Sequence, residues 1–319
     1  MSTFLLRRLI QMAFLLLLIS MLVFGILQLV PGGPFDQLLA DPQVSPADVE
    51  RLNKLIGLDK PLPQRYGEWL IRAVRLDWGD SWRVAFGQPV GKVINDRLPQ
   101  TIQLMSVSIL LSMLIALPIG IYSAIRQYSK IDYLVTGLSF VGISMPVFWF
   151  ALMLMIVFAV QLRWLPTSGI STPGLEKDWL DKLKHMIMPV LVLSLTFIAQ
   201  WSRFMRASML EILSLDYLRT ARAKGLTERV VISRHGLRNA LIPVITILGL
   251  DVPILFSGAI ITETIFSWPG MGRLLFDAVF GNDWPVVTAV IMLTAFLVLV
   301  GNLLADLLYA VVDPRIRYT

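Results

Sequence analysis

The 319-residue chain contains no cysteine, so it can hold neither a disulfide framework nor a thiolate metal site. Its two histidines, His185 and His235, lie far apart and form no ligand pair. Charge is scarce: Asp, Glu, Lys and Arg make up 16% of residues, against about 25% in a soluble domain. No G-x-x-x-x-G-K-[ST] run is present, so energy from ATP must come from another chain. The H-E-x-x-H and G-x-S-x-G patterns are missing too, leaving no visible machinery for hydrolysis. There is no internal repeat, low-complexity tract or Gly/Ser linker, so one membrane domain with one insertion suffices.

What is present is apolar. Hydrophobic residues reach 56% and mean hydropathy is +0.70, the composition of an integral membrane protein. Six runs are long enough to cross a hydrocarbon core: residues 9–30, 101–125, 133–162, 186–204, 240–261 and 285–312. The third and sixth exceed the need and are expected to tilt or extend beyond the lipid. In the fourth, Pro189 is expected in the first turn, where proline is tolerated. Arg7 and Arg8 before the first run resemble a signal peptide. However, the run is too long for an h-region and no small-x-small site follows, so a retained helix is expected and twin-arginine export is not.

The net charge of +6 raises nucleic acid as a partner, but the basic residues sit between apolar runs and read as topology. With the N-terminus inside, fourteen lysines and arginines fall in short inner segments and five in short outer ones. Both termini are therefore expected in the cytoplasm, and no nucleic acid is expected to bind. The division expected is a first transmembrane helix over 1–30, an extracytoplasmic helical insertion over 31–100, and a five-helix core over 101–319 with a loop at 207–239.

Within 31–100, Ser45-Pro46-Ala47-Asp48 reads as a helix start. Val49, Leu52, Leu55 and Ile56 fall on one face, and Gly57 ends the run. Residues 63–76 read as a second amphipathic helix with Tyr66, Trp69, Leu70 and Val74, followed by Trp78 and Trp82. Two readings stay open: helices lying on the bilayer with an aromatic belt, or a lid or docking surface for an external partner.

The most informative stretch is Asp216-Tyr217-Leu218-Arg219-Thr220-Ala221-Arg222-Ala223-Lys224-Gly225. Asp216 can cap a helix from Tyr217 to Lys224, Gly225 suits the left-handed stop, and Leu226 can add an apolar contact. Thr227 and Glu228 then start another helix toward Asn239 and Pro243. Ala221 and Ala223, ringed by Arg219, Arg222 and Lys224, suit a helix seated in a groove of another protein. The plain alternative is a solvated basic loop obeying the positive-inside rule.

DYLRTARAKGLTERVVISRHGLRNALIP resembles the EAA loop of ABC importer permeases, in the form carried by the dipeptide and oligopeptide branch. Arg219 stands where the general pattern has glutamate, and Pro243 arrives late, both as that branch has them. LVPGGP, GLDKPLPQRYGEWL, LDWGDS, RLPQTIQL, ETIFSWPGMGRLL, DWPVVTAV and NLLADLLYAVVDPRIRY are similar to the branch in order along the chain. The resemblance implies an all-α polytopic membrane protein with six transmembrane helices in the type I ABC importer permease fold, in a prokaryotic inner membrane. It implies a non-catalytic subunit with residues 216–225 as the ATPase-coupling element. It also implies a second homologous permease subunit in a heterodimer, two cytoplasmic ATPase subunits or domains that bind the ATP and Mg²⁺, an extracytoplasmic substrate-binding protein, and surrounding lipid. No cofactor or metal is expected on this chain.

Asp251 lies within the fifth run, where a carboxylate is expensive. It either lines the path and meets a peptide's amino end, or partners an arginine or backbone group on a neighbouring helix. Asn302 and Asp306 share a face of the sixth run and are expected to bond between helices. Pro118, Pro146 and Pro253 are expected to interrupt helices. Nickel or an oligosaccharide as cargo, an ion-coupled secondary transporter, and a receptor or scaffold are the rival readings.

Overall fold

A computed structural model describes residues 2–30, 45–55, 57, 59–251 and 253–312. LVPGGP from residue 31 onward, Ile56, and the C-terminal residues 313–318 with Arg315 and Arg317 lie outside these, as do the side chains of Leu52 and Leu55. The described residues are helical apart from turns and one isolated bridge between Asp80 and Pro89.

Five helices are long and apolar enough to cross a membrane, and a bent pair makes a sixth crossing if counted as one span. The first, α1 (Ser2–Leu29), presents mostly exposed apolar side chains, as a lipid-facing helix does. Helix α2 (Pro46–Leu55) opens on the expected cap: the Asp48 N–H donates to Ser45 Oγ (3.2 Å), and the Ser45 N–H donates back to Asp48 Oδ2 (3.1 Å). Helix α3 (Leu62–Val74) docks on α1, with Phe24 lying 5.4 Å from the Tyr66 ring and 5.8 Å from Trp69. Ser20 and Tyr66 share a hydrogen bond of 2.8 Å. Val74, expected on the packed face, is 77% exposed, and Ala73 is buried in its place.

Helix α4 (Val90–Ile125) starts well before the expected residue 101, because its polar first turns still pack on the far end of the bundle. It runs unbroken through Pro99 and Pro118, so Pro118 does not interrupt it. Buried Ser108, Ser112, Ala116 and Gly120 recur every fourth residue and form one smooth stripe. Against that stripe lies α7 (Trp179–Leu213). A Cβ on Gly120 would sit 2.6 Å from the Ser202 carbonyl oxygen and 2.7 Å from Met205 Cβ, so this contact is a backbone-to-backbone approach that only glycine permits. Ser112 and Ser194 hydroxyls donate across the seam to the carbonyls of Ser194 (3.3 Å) and Ser108 (3.1 Å).

The fourth span is longer at both ends than expected. Asp178 caps α7 by accepting from the Leu180 N–H (2.9 Å), which places Pro189 in the helix interior rather than its first turn. The third span is not one tilted helix. Helix α5 (Lys130–Ser144) and α6 (Val147–Leu154), continued as a π-helix over Met155–Gln161, meet at 103°. Pro146 forces Met145 into extended backbone (ψ 124°), which ends α5.

After α7 come α8 (Asp216–Ala223) and α9 (Glu228–Val230), the latter continued by a π-helix over Val231–Leu237 into α10 (Arg238–Asp251). The fifth span ends before residue 261. Past α11 (Ile254–Ser257), Gly258 adopts φ +76°, and a Cβ there would meet the Gly272 nitrogen at 2.6 Å. The chain turns at this close approach, so Ile260 and Ile261 belong to the separate α12 (Ile260–Ile265), packed on α13 (Met271–Phe280). The last span is α14 (Trp284–Val312), which lies along α1. Asp306 pairs with Arg8 at 2.6 Å, an interhelical bond as expected of that position.

Candidate functional site

Helix α8 projects from the end of α7 after a two-residue turn. The Ser214 and Leu215 N–H groups donate to the carbonyls of Glu211 (3.3 Å) and Ile212 (3.1 Å), closing α7. The Leu215 carbonyl then accepts from the Leu218 N–H (3.1 Å) and opens α8. Leu215 therefore occupies the cap position, without a side-chain bond. Asp216 is not the cap expected from sequence; it is the first helical residue. There its carboxylate sits at the positive end of the helix and lies 3.4 Å from Arg219.

The far end of α8 closes as expected. Gly225 has φ +80°, its N–H donates to Arg222 (2.9 Å), and the Leu226 N–H donates to Ala221 (3.4 Å). These two bonds are a Schellman stop, and Lys224 supplies its cap residue. The Leu226 side chain is exposed, so the backbone, not an apolar contact, does the closing. Arg222 then spans the turn to Glu228 with two bonds of 3.1 and 2.9 Å. That carboxylate holds the Arg222 guanidinium above its ordinary value.

One face of α8 is fixed to its own chain. Leu218 is fully buried and Ala221 nearly so, both against Val231 with Ile212 and Leu213 beside them. Ala221 is thus an inward residue, not part of an outward small-residue face. Its neighbour Leu218, three positions before it, carries the signal in the sequence that this side is packed. A second tie flanks the helix. The Tyr217 hydroxyl donates to the His235 carbonyl (3.2 Å), and Asn239 Nδ2 donates to Tyr217 Oη (2.9 Å) and to the same carbonyl (3.0 Å). Below, the Ser208 hydroxyl donates to the Ala240 carbonyl (2.7 Å) and joins α7 to α10.

The opposite face is open. Asp216, Arg219, Thr220 and Ala223 recur at three- and four-residue intervals and are exposed, with Lys224 at its edge. Thr220 directs its hydroxyl to the Asp216 carbonyl (3.1 Å), leaving a low, charged, fairly flat surface. The result is a short rod whose inner side is held by apolar packing and whose outer side presents two small residues between charges.

Asp251 is remote from α8. Its carboxylate accepts from the indole nitrogen of the buried Trp201 on α7 (2.8 Å), a partner not foreseen from sequence.

A second polar knot escaped sequence reading. Asp132, 2% exposed, accepts from Arg206 Nε (2.7 Å) and Nη2 (2.8 Å), from the Tyr128 N–H (2.9 Å) and from the Ser123 hydroxyl. It joins the last turn of α4, the first turn of α5 and α7. The available signal was Ser129 three residues ahead, whose Oγ accepts from the Asp132 N–H (3.2 Å).

Two buried carboxylates hold the other end of the bundle. Asp283 accepts from the Ser81 hydroxyl (2.5 Å) and from the N–H groups of Trp82 (3.1 Å), Arg83 (2.9 Å) and Val84 (3.0 Å). Glu263 accepts from the Thr101 hydroxyl (3.0 Å) and from the N–H groups of Ala259 (3.2 Å) and Arg273 (2.9 Å). A Cβ on Gly270 would lie 2.5 Å from that carboxylate, which accounts for the glycine. LDWGDS is thereby tied to DWPVVTAV, and RLPQTIQL to ETIFSWPGMGRLL.

Comparison with known proteins gives a consistent picture. Residues 116–318 match the family model described as binding-protein-dependent transport system inner membrane component, and residues 1–105 match the model of its N-terminal part. The chain is 46% identical over 318 residues to the oligopeptide transport system permease protein AppB of Bacillus subtilis, covering 100% of both. It is 38% identical over 339 residues to the dipeptide transport system permease protein DppB of Escherichia coli K12, covering 100% of this chain and 99% of the relative. Among solved structures, it resembles a chain of the MetNI methionine ABC transporter in inward-facing conformations. That match has a TM-score of 0.58 at 16% identity and covers 72% of this chain and 100% of the other. At that identity the match speaks to the fold alone.

Proposed function

Because this chain belongs to the family of binding-protein-dependent transport system inner membrane components, we propose that it forms half of the translocation path of an ATP-driven peptide importer and carries the helix that couples the path to separate ATPase subunits. It is a multi-pass protein of the prokaryotic inner membrane. Its partners in this reading are a second homologous permease subunit, forming a heterodimer, two ATPase subunits that hold the ATP and Mg²⁺, and an external binding protein. Peptide cargo is supported by the names of its relatives, which specify oligopeptide and dipeptide transport. The lysine and arginine distribution supports placing both termini and α8 on the cytoplasmic side.

The observation that carries the coupling role is the two-sidedness of α8. Apolar packing of Leu218 and Ala221 and the ties at Tyr217 make the rod move with α7 and α10. Asp216, Arg219, Thr220 and Ala223 remain free to enter a groove in an ATPase. Closure of the ATPase pair on ATP would then pull two rods together and switch the path between its two states. Asp251, held by Trp201 within the fifth span, is the path residue of this reading, where it would meet the cationic end of a peptide.

The test is uptake into proteoliposomes containing this chain, a second permease and an ATPase pair, with binding protein outside and ATP inside. Labelled dipeptide should accumulate only when all parts and hydrolysable ATP are present. Uptake by this chain alone under an ion gradient, or ATP-driven uptake of nickel or an oligosaccharide but not peptide, would contradict the reading.

A further inference from the structure

At the end of the bundle opposite α8 lies a cleft of about 340 Å³ that the transport reading leaves unassigned. Its walls are the last turns of α1 (Phe24, Gln28), one side of α3 (Arg65, Trp69), Trp78, and Trp284 at the start of α14. We propose that this cleft binds the phosphodiester headgroup of an outer-leaflet phospholipid, with Arg65 as the residue that holds the anion.

The charges around the cleft are unevenly satisfied. Glu68 is occupied by Lys60 (2.8 Å) and Gln64 (3.0 Å). Arg72 and Asp80 lie at the rim and are exposed. Arg65 is half-buried, its guanidinium carbon 6.0 Å from the centre of the Phe24 ring, and among the described residues its side chain has neither an ion pair nor a hydrogen bond. Burial without a counter-charge pushes its guanidinium below the ordinary value. One turn further along α3, the Trp69 indole nitrogen is buried and also has no acceptor. Two neighbouring donors without acceptors are costly unless something else supplies oxygen atoms. Arginine's planar fork matches the oxygens of a phosphodiester.

The position of the cleft selects the source of that anion. It lies where one spanning helix ends and another begins, the depth of lipid headgroups, and tryptophans on that level form an interfacial belt. Ile26 and Leu29, flanking the cleft-lining residues of α1, are 60% and 81% exposed and suit acyl chains better than an aqueous partner.

The experiment is native mass spectrometry of the full chain released from bilayers of phosphatidylglycerol in phosphatidylcholine. The protein should retain phosphatidylglycerol through delipidation, and Arg65→Gln should lower retention at least three-fold. Arg65→Lys, which keeps the charge but not the fork, should retain more than Arg65→Gln and less than the unaltered chain at the same folded yield, which separates loss of the ligand from loss of the fold. Arg51→Ala, on an arginine that is 80% exposed, should change nothing. Glycerol phosphate added in solution should not displace the lipid. Equal retention by Arg65→Gln and Arg51→Ala, or displacement by glycerol phosphate, would overturn the proposal. So would loss of binding-protein docking in Arg65→Gln with lipid retention unchanged.

Discussion

Replacing Asp132 with Asn removes one charge from the knot that joins α4, α5 and α7 while keeping the side chain's size. Asp132 is 2% exposed and accepts two bonds from Arg206, whose side chain is 27% exposed. Breaking a fully buried ion pair by removing one partner costs about 3–5 kcal/mol. Water still reaches part of Arg206, and an Asn oxygen can still accept one bond, so about 2–3 kcal/mol is expected here. The assay is a double-mutant cycle with Arg206→Gln, followed by unfolding in mixed detergent micelles. The two single variants should each lose that amount and the double variant little more, giving a coupling energy of about 2 kcal/mol. Losses below about 0.5 kcal/mol for each variant, adding in the double, would refute the knot as a fastening.

Three other outcomes follow from the same geometry. Gly120→Val should part α4 from α7 and cost at least about 1–3 kcal/mol, read as a fall in folded yield from the membrane. Asp283→Asn should strand at least one of the N–H groups of Trp82, Arg83 and Val84, costing roughly 2 kcal/mol, and speed amide exchange over residues 78–89 while sparing α8. Leu218→Ala should free the inner face of α8 at a cost of roughly 2–5 kcal/mol to its seating, seen as faster amide exchange in residues 216–225 with the spans unchanged.

Much of this fold was legible because its signals are local. Five of the six apolar runs, the Ser45 start of α2 and the Gly225 stop of α8 each depend on a few adjacent residues and are found as spans, start and stop, whereas the third run is a pair of helices bent by 103°. What failed depended on contacts between distant residues. Pro146 breaks a span whereas Pro118 does not, because α4 is held on both sides of Pro118 by its seam with α7. The true start of α4 was hidden by the polar residues Lys92, Asp96 and Arg97, whose helix is supported by Val90, Val93 and Ile94 packing on α13 and α14. Asp216 looked like a cap because the sequence does not show that α7 runs to Leu213, leaving only two residues to turn. Within the candidate site, the rod and its glycine stop were readable. The direction it faces was not, since Ala221 resembles Ala223 until Leu218 and Val231 fix one side inward. Asp132 was invisible as a site because Arg206, counted only toward topology, lies on a different helix.

In the proposed coupling role, the outer face of α8 transmits ATPase motion and the inner face only holds the rod in place. Ala223→Trp puts bulk on the open face without touching Leu218 or Ala221. In the reconstituted importer, ATP-driven peptide uptake should fall at least about ten-fold, the effect of roughly 1.4 kcal/mol, while the folded yield of this chain stays unchanged. Wild-type uptake and wild-type ATPase attachment in that variant would show that the outer face of α8 takes no part in coupling.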